Sequence, residues 1–177
     1  EGVECLDEIH VIGGKCLHGN ITVQGSKNTV LPLMAGALLY RGINVLKACP
    51  RITDVFYMEE ILRALGAETW WEDHDLYLDC THADGSHVPE IYSGRMRSSI
   101  ILLGPILARN QQAEIGYPGG CVIGKRPVDL HLYVLRRFGA EIKEEEKKIT
   151  VSCKKLCGTE IAFSKRSVGA TEQAILC

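Results

Sequence analysis

Two stretches of the chain place apolar residues at helical spacing and end at a glycine. The apolar positions of the first stretch are Val55, Met58, Ile61, Leu62 and Leu65. Those of the second stretch are Leu130, Val134, Leu135 and Phe138. Each set falls on one face of a helix. Because Gly66 and Gly139 follow directly, and glycine is the usual residue just past a helix end, we predict that both helices stop there.

Alternating polar and apolar residues follow each glycine. The strings ETWWED and LYLDC come after Gly66, and EIKEEE and KITVSC come after Gly139. Alternation with a period of two is typical of a strand with one buried face, so each pair predicts a β-hairpin. The polar EDHD and EEEKK stretches are expected to be solvated turns.

These two halves are copies of one unit. Residues 63–80 and 136–153 align in register, and ITVQGSKNTVLPLMAGALL aligns more loosely with EIYSGRMRSSIILLGPILA. The predicted unit is strand, helix, strand, helix, strand, strand, and its copies cover about 21–80, 90–153 and, in part, 159–177. The fold class is therefore α/β, built as α+β repeats.

The third copy stops inside an apolar helical pattern. Such a face needs something to pack against. We therefore expect this chain to be a piece of a longer protein, or to rest on a missing partner.

The second unit carries an insertion that the first lacks. Tyr117-Pro118 is followed by GGCVIGK before the helix, whereas Cys49-Pro50 leads directly into its helix. Loops with small and turn-prone residues at helix entries often carry function. Cys121 stands in this loop between glycines and the bases Lys125 and Arg126. Neighbouring cations stabilise a thiolate, so Cys121 is either a reactive thiol or an inert loop cysteine.

Basic residues recur where each copy enters its first helix. They are Lys27, Arg97 and the pair Lys165-Arg166, and Arg126 adds a fourth position before Pro127. A helix N-terminus carries unpaired N–H groups and a partial positive charge, so an added base makes an anion site. If the copies pack around an axis, these sites converge; the alternative is that surface bases fall there by chance. Asp54 and Asp129 are interpreted as helix-start acids, and His131 as a structural or supporting residue.

Composition limits the possible functions. The 177 residues are 46% hydrophobic and 24% charged, with a net charge of −2. This balance argues against disorder and against nucleic-acid binding, which usually needs a cationic excess. The apolar runs are short and interrupted by proline, so no membrane span is expected. With acids in place of a basic leader at the start, we expect a soluble cytoplasmic protein.

The eight cysteines do not match a metal or disulfide framework. They lie at positions 5, 16, 49, 80, 121, 153, 157 and 177, with no CxxC pair and no zinc-type spacing. We expect seven of them to be reduced packing residues and Cys121 to be the exception. No metal is predicted.

Five strings carry a resemblance to a known family. They are GSKN (25–28), MRSS (96–99), LGPILAR (103–109), PGGCVIGKRPVDLH (118–131) and SVGAT (167–171). Together they resemble the UDP-N-acetylglucosamine 1-carboxyvinyltransferases of the enolpyruvyl transferase family, from about residue 9 onward. The shikimate branch is a weaker match because it lacks the PGGC motif.

The resemblance implies a fold, a reaction and two partners. The family fold has two lobes, and the reaction moves an enolpyruvyl group from phosphoenolpyruvate to the 3′-hydroxyl of UDP-N-acetylglucosamine, with loss of phosphate. No cofactor is implied. Residues 1–24 would be strands that pack partly on a missing C-terminal lobe, and residues 25–177 would be the catalytic-loop lobe, itself incomplete.

Residue roles follow from the matched strings. Cys121 would be the catalytic acid that protonates phosphoenolpyruvate, and fosfomycin would alkylate it. Lys27, Asn28 and Arg126 would bind phosphoenolpyruvate. The nucleotide sugar would be bound by Arg97, Arg126, Pro127, Val128, Asp129, Leu130, Lys165, Arg166, Ser167 and Val168. The alternative function is a non-catalytic, half-length nucleotide-sugar binding or regulatory module.

Overall fold

The computed structural model of the chain describes residues 10–119 and 128–177. In these ranges helices and strands alternate. In chain order they are α1 (Lys27–Ala37), β1 (Ile43–Leu46), α2 (Thr53–Ala64), β2 (Glu68–Glu72), β3 (Asp75–Asp79), β4 (His87–Val88), α3 (Glu90–Ser93), a 3₁₀ helix (Arg97–Leu102), α4 (Leu103–Asn110), β5 (Gln112–Gly116), α5 (Asp129–Arg137), β6 (Glu141–Glu144), β7 (Lys148–Ser152) and α6 (Val168–Ile175). The predicted mixture of helices and strands is confirmed.

The strands form two small sheets. The first has the order β1-β3-β2 and is antiparallel throughout. The second has the order β4-β5-β7-β6, in which β4 is parallel to β5 and the other pairs are antiparallel. The predicted hairpins are therefore present as β2–β3 and β6–β7. In each of them the alternation buries one face, as Leu76 and Leu78 show in β3 and Ile149 and Val151 in β7.

Helices pack on the buried faces of the sheets and on one another. The apolar residues predicted for α2 are all buried, with at most 1% of their surface exposed. In α5, Val134 and Leu135 are buried as predicted, whereas Leu130 and Phe138 are only half-buried. Gly66 and Gly139 follow these two helices with φ of 98° and 94°, a backbone conformation that favours glycine. The helix stops are thus confirmed.

Two buried polar side chains join different elements of the fold. Glu59 on α2 is 1% exposed and accepts hydrogen bonds from Arg63, Thr69 and Trp71 at 2.9 to 3.0 Å. Arg109 on α4 has a side chain only 4% exposed. Its guanidinium donates to backbone oxygens of Leu38, Cys80 and Thr81 and to the Asp84 carboxylate. Arg109 therefore connects α4 to the end of α1 and to the chain beyond β3.

The strands predicted to open the first and third copies, from about residues 21 and 159, are wrong. Residues 10–26 and 159–167 contain no strand. A strand needs the N–H and C=O groups of a neighbour, and no described strand pairs with either segment. The apolar side chains of the first segment consequently face solvent, with exposures from 84% to 95% for Val11, Ile12, Leu17, Ile21 and Val23.

The strand expected at the start of the second unit is also wrong. The string EIYS forms α3, and the strand lies earlier, at His87–Val88. Pro89, with φ of −58°, directly precedes α3, and Glu90 stands in its first turn. A fixed proline φ and a carboxylate at the N-terminus both favour a helical turn over a strand.

The described cysteines are all free thiols, but they do not all pack. Cys49 and Cys80 are buried, and burial raises the pKa of each thiol to about 11. Cys16 and Cys157 are exposed, which corrects the expectation that seven cysteines are packing residues. Cys5 and Cys121 lie outside the described residues.

The described helices are too short or too polar to cross a bilayer. Between residues 10 and 119 and from 128 to 177, none combines the length and the apolar character that a membrane span requires.

Candidate functional site

The first turns of three helical segments meet in one region of the molecule. α1 begins at Lys27, the 3₁₀ helix begins at Arg97, and α6 begins at Val168. The residues before them, Ser26 and Ser167 among them, are extended, which stops each helix from starting earlier. Ser167 also caps α6, since its hydroxyl accepts a hydrogen bond from Ala170 N at 3.2 Å.

The 3₁₀ helix packs against both α1 and α6 and so brings their starts together. Gln173 secures the α6 side of this contact. In the amide orientation that satisfies both of its polar groups, it donates to Ile100 O at 3.1 Å and accepts from Gly104 N at 2.8 Å. A methyl group on Gly104 would collide with Gln173, so glycine is required for this close approach.

A cavity of about 510 Å³ opens between these helix starts. We call it the cation cavity. Its described lining residues are Lys27, Asn28, Leu31, Pro32, Asp54, Arg95, Met96, Arg97, Ser98, Ile100, Ile101, His131, Val168, Gly169 and Glu172. The structure thus brings together four of the residues singled out from sequence, namely Lys27, Asn28, Arg97 and Val168.

Charged groups of both signs line the cation cavity. The described cations are Lys27, Arg95 and Arg97, and the described acids are Asp54 and Glu172. Lys27 Nζ lies 2.9 Å from Asp54 Oδ2 in the first turn of α2. Burial raises the pKa of Glu172, which favours its neutral form. The arrangement can hold an anion, with cations in excess of acids.

A second cavity adjoins the first. It has a volume of about 630 Å³, and it shares Val168 and Glu172 with the cation cavity. Its lining includes Lys165, Arg166 and Ser167. Lys165 Nζ lies 3.9 Å from Asp129 Oδ2, at the start of α5. The segment 165–168 and Asp129, all singled out from sequence, are therefore neighbours.

His131 has an unusual environment in the wall of the cation cavity. It is 8% exposed, and its buried Nδ1 has no hydrogen-bond partner within residues 10–119 and 128–177. Burial lowers the pKa of His131, a hydrogen bond with Gln173 raises it, nearby Arg97 lowers it and Asp129 raises it. Gly169 makes room for the ring, since a Cβ there would lie 3.0 Å from His131 Cε1. The net effect lowers the pKa of His131, with burial as the largest cause, and the ring packs against the start of α6.

Both ends of the inserted loop lie close to the cation cavity. Gly119 N donates to Ser93 O at 3.1 Å, two residues before Arg95. At the other end, Val128 is buried and leads into α5, which carries His131. Cys121, Arg126 and Pro127 belong to residues 120–127, outside the described part of the chain. Their assigned roles remain predictions.

Two other residues predicted to bind the nucleotide sugar, Val128 and Leu130, do not line either cavity as described. Val128 packs in the hydrophobic core, and Leu130 is half-buried on α5. Neither is among the described residues that line the two cavities. Their roles in binding a nucleotide sugar remain predictions.

Sequence reasoning missed Arg95, Glu172 and the supporting Tyr57. The guanidinium Cζ of Arg95 lies 5.7 Å from the centre of the Tyr57 ring. No spacing rule joins residues 57 and 95, because the contact depends on how α2 packs beside the turn after α3. For metals, the described residues contain no group of three or more His, Cys, Asp or Glu side chains placed to hold an ion.

Comparison with known proteins agrees with the resemblance of the motifs. The family model described as EPSP synthase (3-phosphoshikimate 1-carboxyvinyltransferase) matches residues 11–177. The chain belongs to the EPSP synthase family.

Two relatives of the chain are UDP-N-acetylglucosamine 1-carboxyvinyltransferases. The chain is 40% identical over 171 residues to UDP-N-acetylglucosamine 1-carboxyvinyltransferase 2 of Caldanaerobacter subterraneus subsp. tengcongensis, which covers 97% of the chain and 41% of that protein. It is 41% identical over 170 residues to the UDP-N-acetylglucosamine 1-carboxyvinyltransferase of Wolbachia pipientis wMel. That match covers 92% of the chain and 40% of the Wolbachia protein. The chain therefore spans about two-fifths of the length of these relatives.

Two solved structures share the fold. The enolpyruvyl transferase NikO from Streptomyces tendae superimposes with a TM-score of 0.77 at 23% identity, covering 93% of this chain and 39% of that one. An EPSP synthase from Acinetobacter baumannii gives a TM-score of 0.70 at 18% identity, covering 93% and 39%. The predicted fold class, an enolpyruvyl-transferase-like lobe, is confirmed.

Proposed function

We propose that the chain is the loop-bearing part of an enolpyruvyl transferase. The reaction moves the enolpyruvyl group of phosphoenolpyruvate to the 3′-hydroxyl of UDP-N-acetylglucosamine, which is the first committed step of peptidoglycan synthesis in the cytoplasm. The observation that carries the proposal is the convergence of Lys27, Asn28 and Arg97 in one cavity at the starts of helices. The curated relatives that match the chain bear the name of this activity.

Both proposed substrates carry phosphoryl groups, and the cation cavity suits them. Lys27 and Arg97 stand at helix starts, where unpaired backbone N–H groups add to the side-chain charge. Charge-assisted hydrogen bonds to phosphoryl oxygens are the strong ones, and arginine can make two at once. In our proposal Lys27 and Asn28 hold phosphoenolpyruvate. Arg97 holds the diphosphate of the nucleotide sugar, and Lys165 to Val168 extend that site.

The proposed chemistry requires a group that donates a proton to phosphoenolpyruvate. In the proposed reaction the sugar hydroxyl adds to C2 of phosphoenolpyruvate while the Cys121 thiol donates a proton to its methylene carbon, which gives a tetrahedral ketal. Loss of phosphate and of a proton from that carbon then restores the double bond. The positions of Gly119 and Val128 support this role, because each adjoins a segment that contributes to the cavity lining: Gly119 bonds to Ser93, two residues before Arg95, and Val128 precedes His131 by three residues.

A second lobe completes the site in this proposal. It supplies the base for the sugar hydroxyl, and it covers the exposed apolar residues between Val11 and Val23. Burying such a row of side chains is favourable by roughly 25 cal/mol per Å² of apolar surface. Residues 1–24 therefore pack on the second lobe, and residues 25–177 form the lobe that carries the loop.

Phosphate release by the two-lobed protein tests the proposal. Supplied with both substrates, the unaltered protein releases phosphate, Cys121→Ala does not, and fosfomycin attaches to the peptide that contains Cys121. Cys157→Ala is a matched control, because Cys157 is an exposed cysteine away from the cavity. Full turnover by Cys121→Ala would remove the assigned role.

A second candidate function is nucleotide-sugar binding without chemistry. It is favoured by one observation, that the described residues of this chain form the cation cavity by themselves. The two functions differ in a simple experiment. Under the second, UDP-N-acetylglucosamine raises the melting temperature of the 177-residue chain, and the addition of phosphoenolpyruvate releases no phosphate.

A further inference from the structure

Arg95 contributes a positive charge to the cation cavity that no motif assigned. Its backbone is fixed by the turn after α3, where Arg95 N donates to Tyr92 O at 3.1 Å. The next residue, Met96, is 3% exposed and anchors the segment in the core. The backbone is therefore fixed on both sides of Arg95, whose exposed side chain lines the cavity.

The support beneath Arg95 is an aromatic face. Its guanidinium Cζ lies 5.7 Å from the centre of the Tyr57 ring, within the range of a cation–π contact. Tyr57 stands three residues after Asp54 on α2, so the two side chains lie on the same side of that helix. One face of α2 thus holds Lys27 through Asp54 and Arg95 through Tyr57.

These two contacts differ in their consequence for an anionic ligand. The charge of Lys27 is offset by the carboxylate of Asp54, 2.9 Å away. Tyr57 is uncharged, so it orients Arg95 without neutralising it. The described lining residues include three cations and two acids, and one of these acids, Asp54, is paired with Lys27. Arg95 therefore adds to the positive charge that the cavity offers an anion.

We propose that Arg95 is an additional phosphate-binding residue of the cation cavity, which engages a phosphoryl group of the substrate and sets its affinity. The proposal rests on the proposed function, in that the ligand is one of its two phosphorylated substrates. Tyr57 is a positioning residue, because it acts through Arg95. A guanidinium presented on a flat ring keeps its N–H groups at the edge, where they can form two hydrogen bonds to phosphoryl oxygens.

The chain offers a matched control for the loss of an arginine. Arg51 also lies over an aromatic ring, with its Cζ 4.8 Å from the centre of Trp71, and it is exposed. It is not among the described lining residues of the cation cavity. Arg51→Met therefore removes the same charge and the same kind of contact at a different place.

Titration calorimetry with inorganic pyrophosphate tests the proposal on the 177-residue chain. Arg95→Met weakens binding about tenfold, which is the loss expected for one charge-assisted contact, and Arg51→Met leaves it nearly unchanged. Tyr57→Leu gives an intermediate loss, and Arg95→Lys recovers part of the affinity. Equal effects of Arg95→Met and Arg51→Met, or no binding by the unaltered chain, would overturn the proposal.

Steady-state kinetics of the two-lobed protein show which substrate Arg95 engages. An increase in KM for UDP-N-acetylglucosamine places its contact on the diphosphate, and an increase for phosphoenolpyruvate places it on that phosphate. A fall in kcat with both KM values unchanged contradicts a binding role. If the unaltered protein releases no phosphate, the proposed function fails, whereas the pyrophosphate measurement still decides the role of Arg95.

Discussion

Lys27 Nζ and Asp54 Oδ2 lie 2.9 Å apart and join the first turn of α1 to the first turn of α2. Both side chains are partly exposed, at 51% and 35%, and both line the cation cavity. An ion pair so open to water contributes little to stability, about 0–1 kcal/mol. Its larger effect is on the cavity, because the carboxylate reduces the positive charge that Lys27 offers to a ligand.

Removing this carboxylate should strengthen anion binding. We expect Asp54→Asn to bind inorganic pyrophosphate about two- to fivefold more tightly than the unaltered chain at low salt. The gain should shrink as salt is raised, because the added charge is screened. Asp73→Asn is the control: Asp73 lies in the exposed β2–β3 turn with φ of 51°, which asparagine also tolerates. Weaker binding by Asp54→Asn would show that Asp54 positions Lys27.

Arg109 should be far more important for stability than its neighbour Arg41. Its buried guanidinium satisfies the carbonyl oxygens of Leu38, Cys80 and Thr81, at 2.8, 2.5 and 3.0 Å. Arg109→Met leaves these acceptors without their donor, so we expect the free energy of unfolding to fall by about 3 kcal/mol. Arg41→Met should cost less than about 1 kcal/mol, because Arg41 is exposed. Urea denaturation of both variants measures the difference, and equal losses would contradict it.

The parts of the fold that sequence predicted correctly are those fixed by local pattern. The burial of the α2 stripe, the glycine stops and the two hairpins all follow from periods of 3.6 and 2 and from the φ that Gly66 and Gly139 adopt. The strand predicted to open the first copy, from about residue 21, failed because pairing depends on a neighbour that pattern cannot supply. The strand predicted at EIYS rested on its alignment with ITVQ, and that alignment does not take account of Pro89, which favours the helical turn of α3.

The candidate site likewise contains residues that local sequence identified and residues whose role depends on packing between distant segments. Lys27 and Arg97 were found because each stands at a corresponding place in the repeated unit, at the start of a helical segment, and Val168 was found from the matched family strings. Arg95 was not found, because its role depends on the approach of Tyr57 from a helix nearly forty residues earlier. The burial of His131 likewise results from the packing of α5 against α6, which no single segment encodes.

Gly119 should be intolerant of a side chain. Its amide donates to Ser93 O at 3.1 Å, and a Cβ would run into the carbonyl oxygen of Gly94. We expect Gly119→Ala to lower the free energy of unfolding by about 1–3 kcal/mol, because two backbone segments must separate. In the two-lobed protein it should also lower kcat, since Gly119 leads into the loop of Cys121. Gly158→Ala is the control, as an added methyl there meets nothing within 4 Å; similar losses for both variants would refute the argument.

His131 should make the protein sensitive to acid. Burial lowers the pKa of His131 in the folded chain, whereas in the unfolded chain it has the ordinary value near 6.5. The unfolded state therefore binds more protons as the pH falls below that value. The stability that depends on neutral His131 is present above about pH 6.5 and is lost as the pH falls through the folded pKa.

Replacing His131 by leucine should remove this part of the acid sensitivity. Leucine cannot titrate, and it eliminates the buried Nδ1 that has no described partner. We expect urea denaturation between pH 8 and 5 to show a shallower decline for His131→Leu than for the unaltered chain. His18→Leu, at an exposed position, should decline in parallel with the unaltered chain. If His131→Leu also declines in parallel, burial does not lower the pKa of His131 in the folded chain.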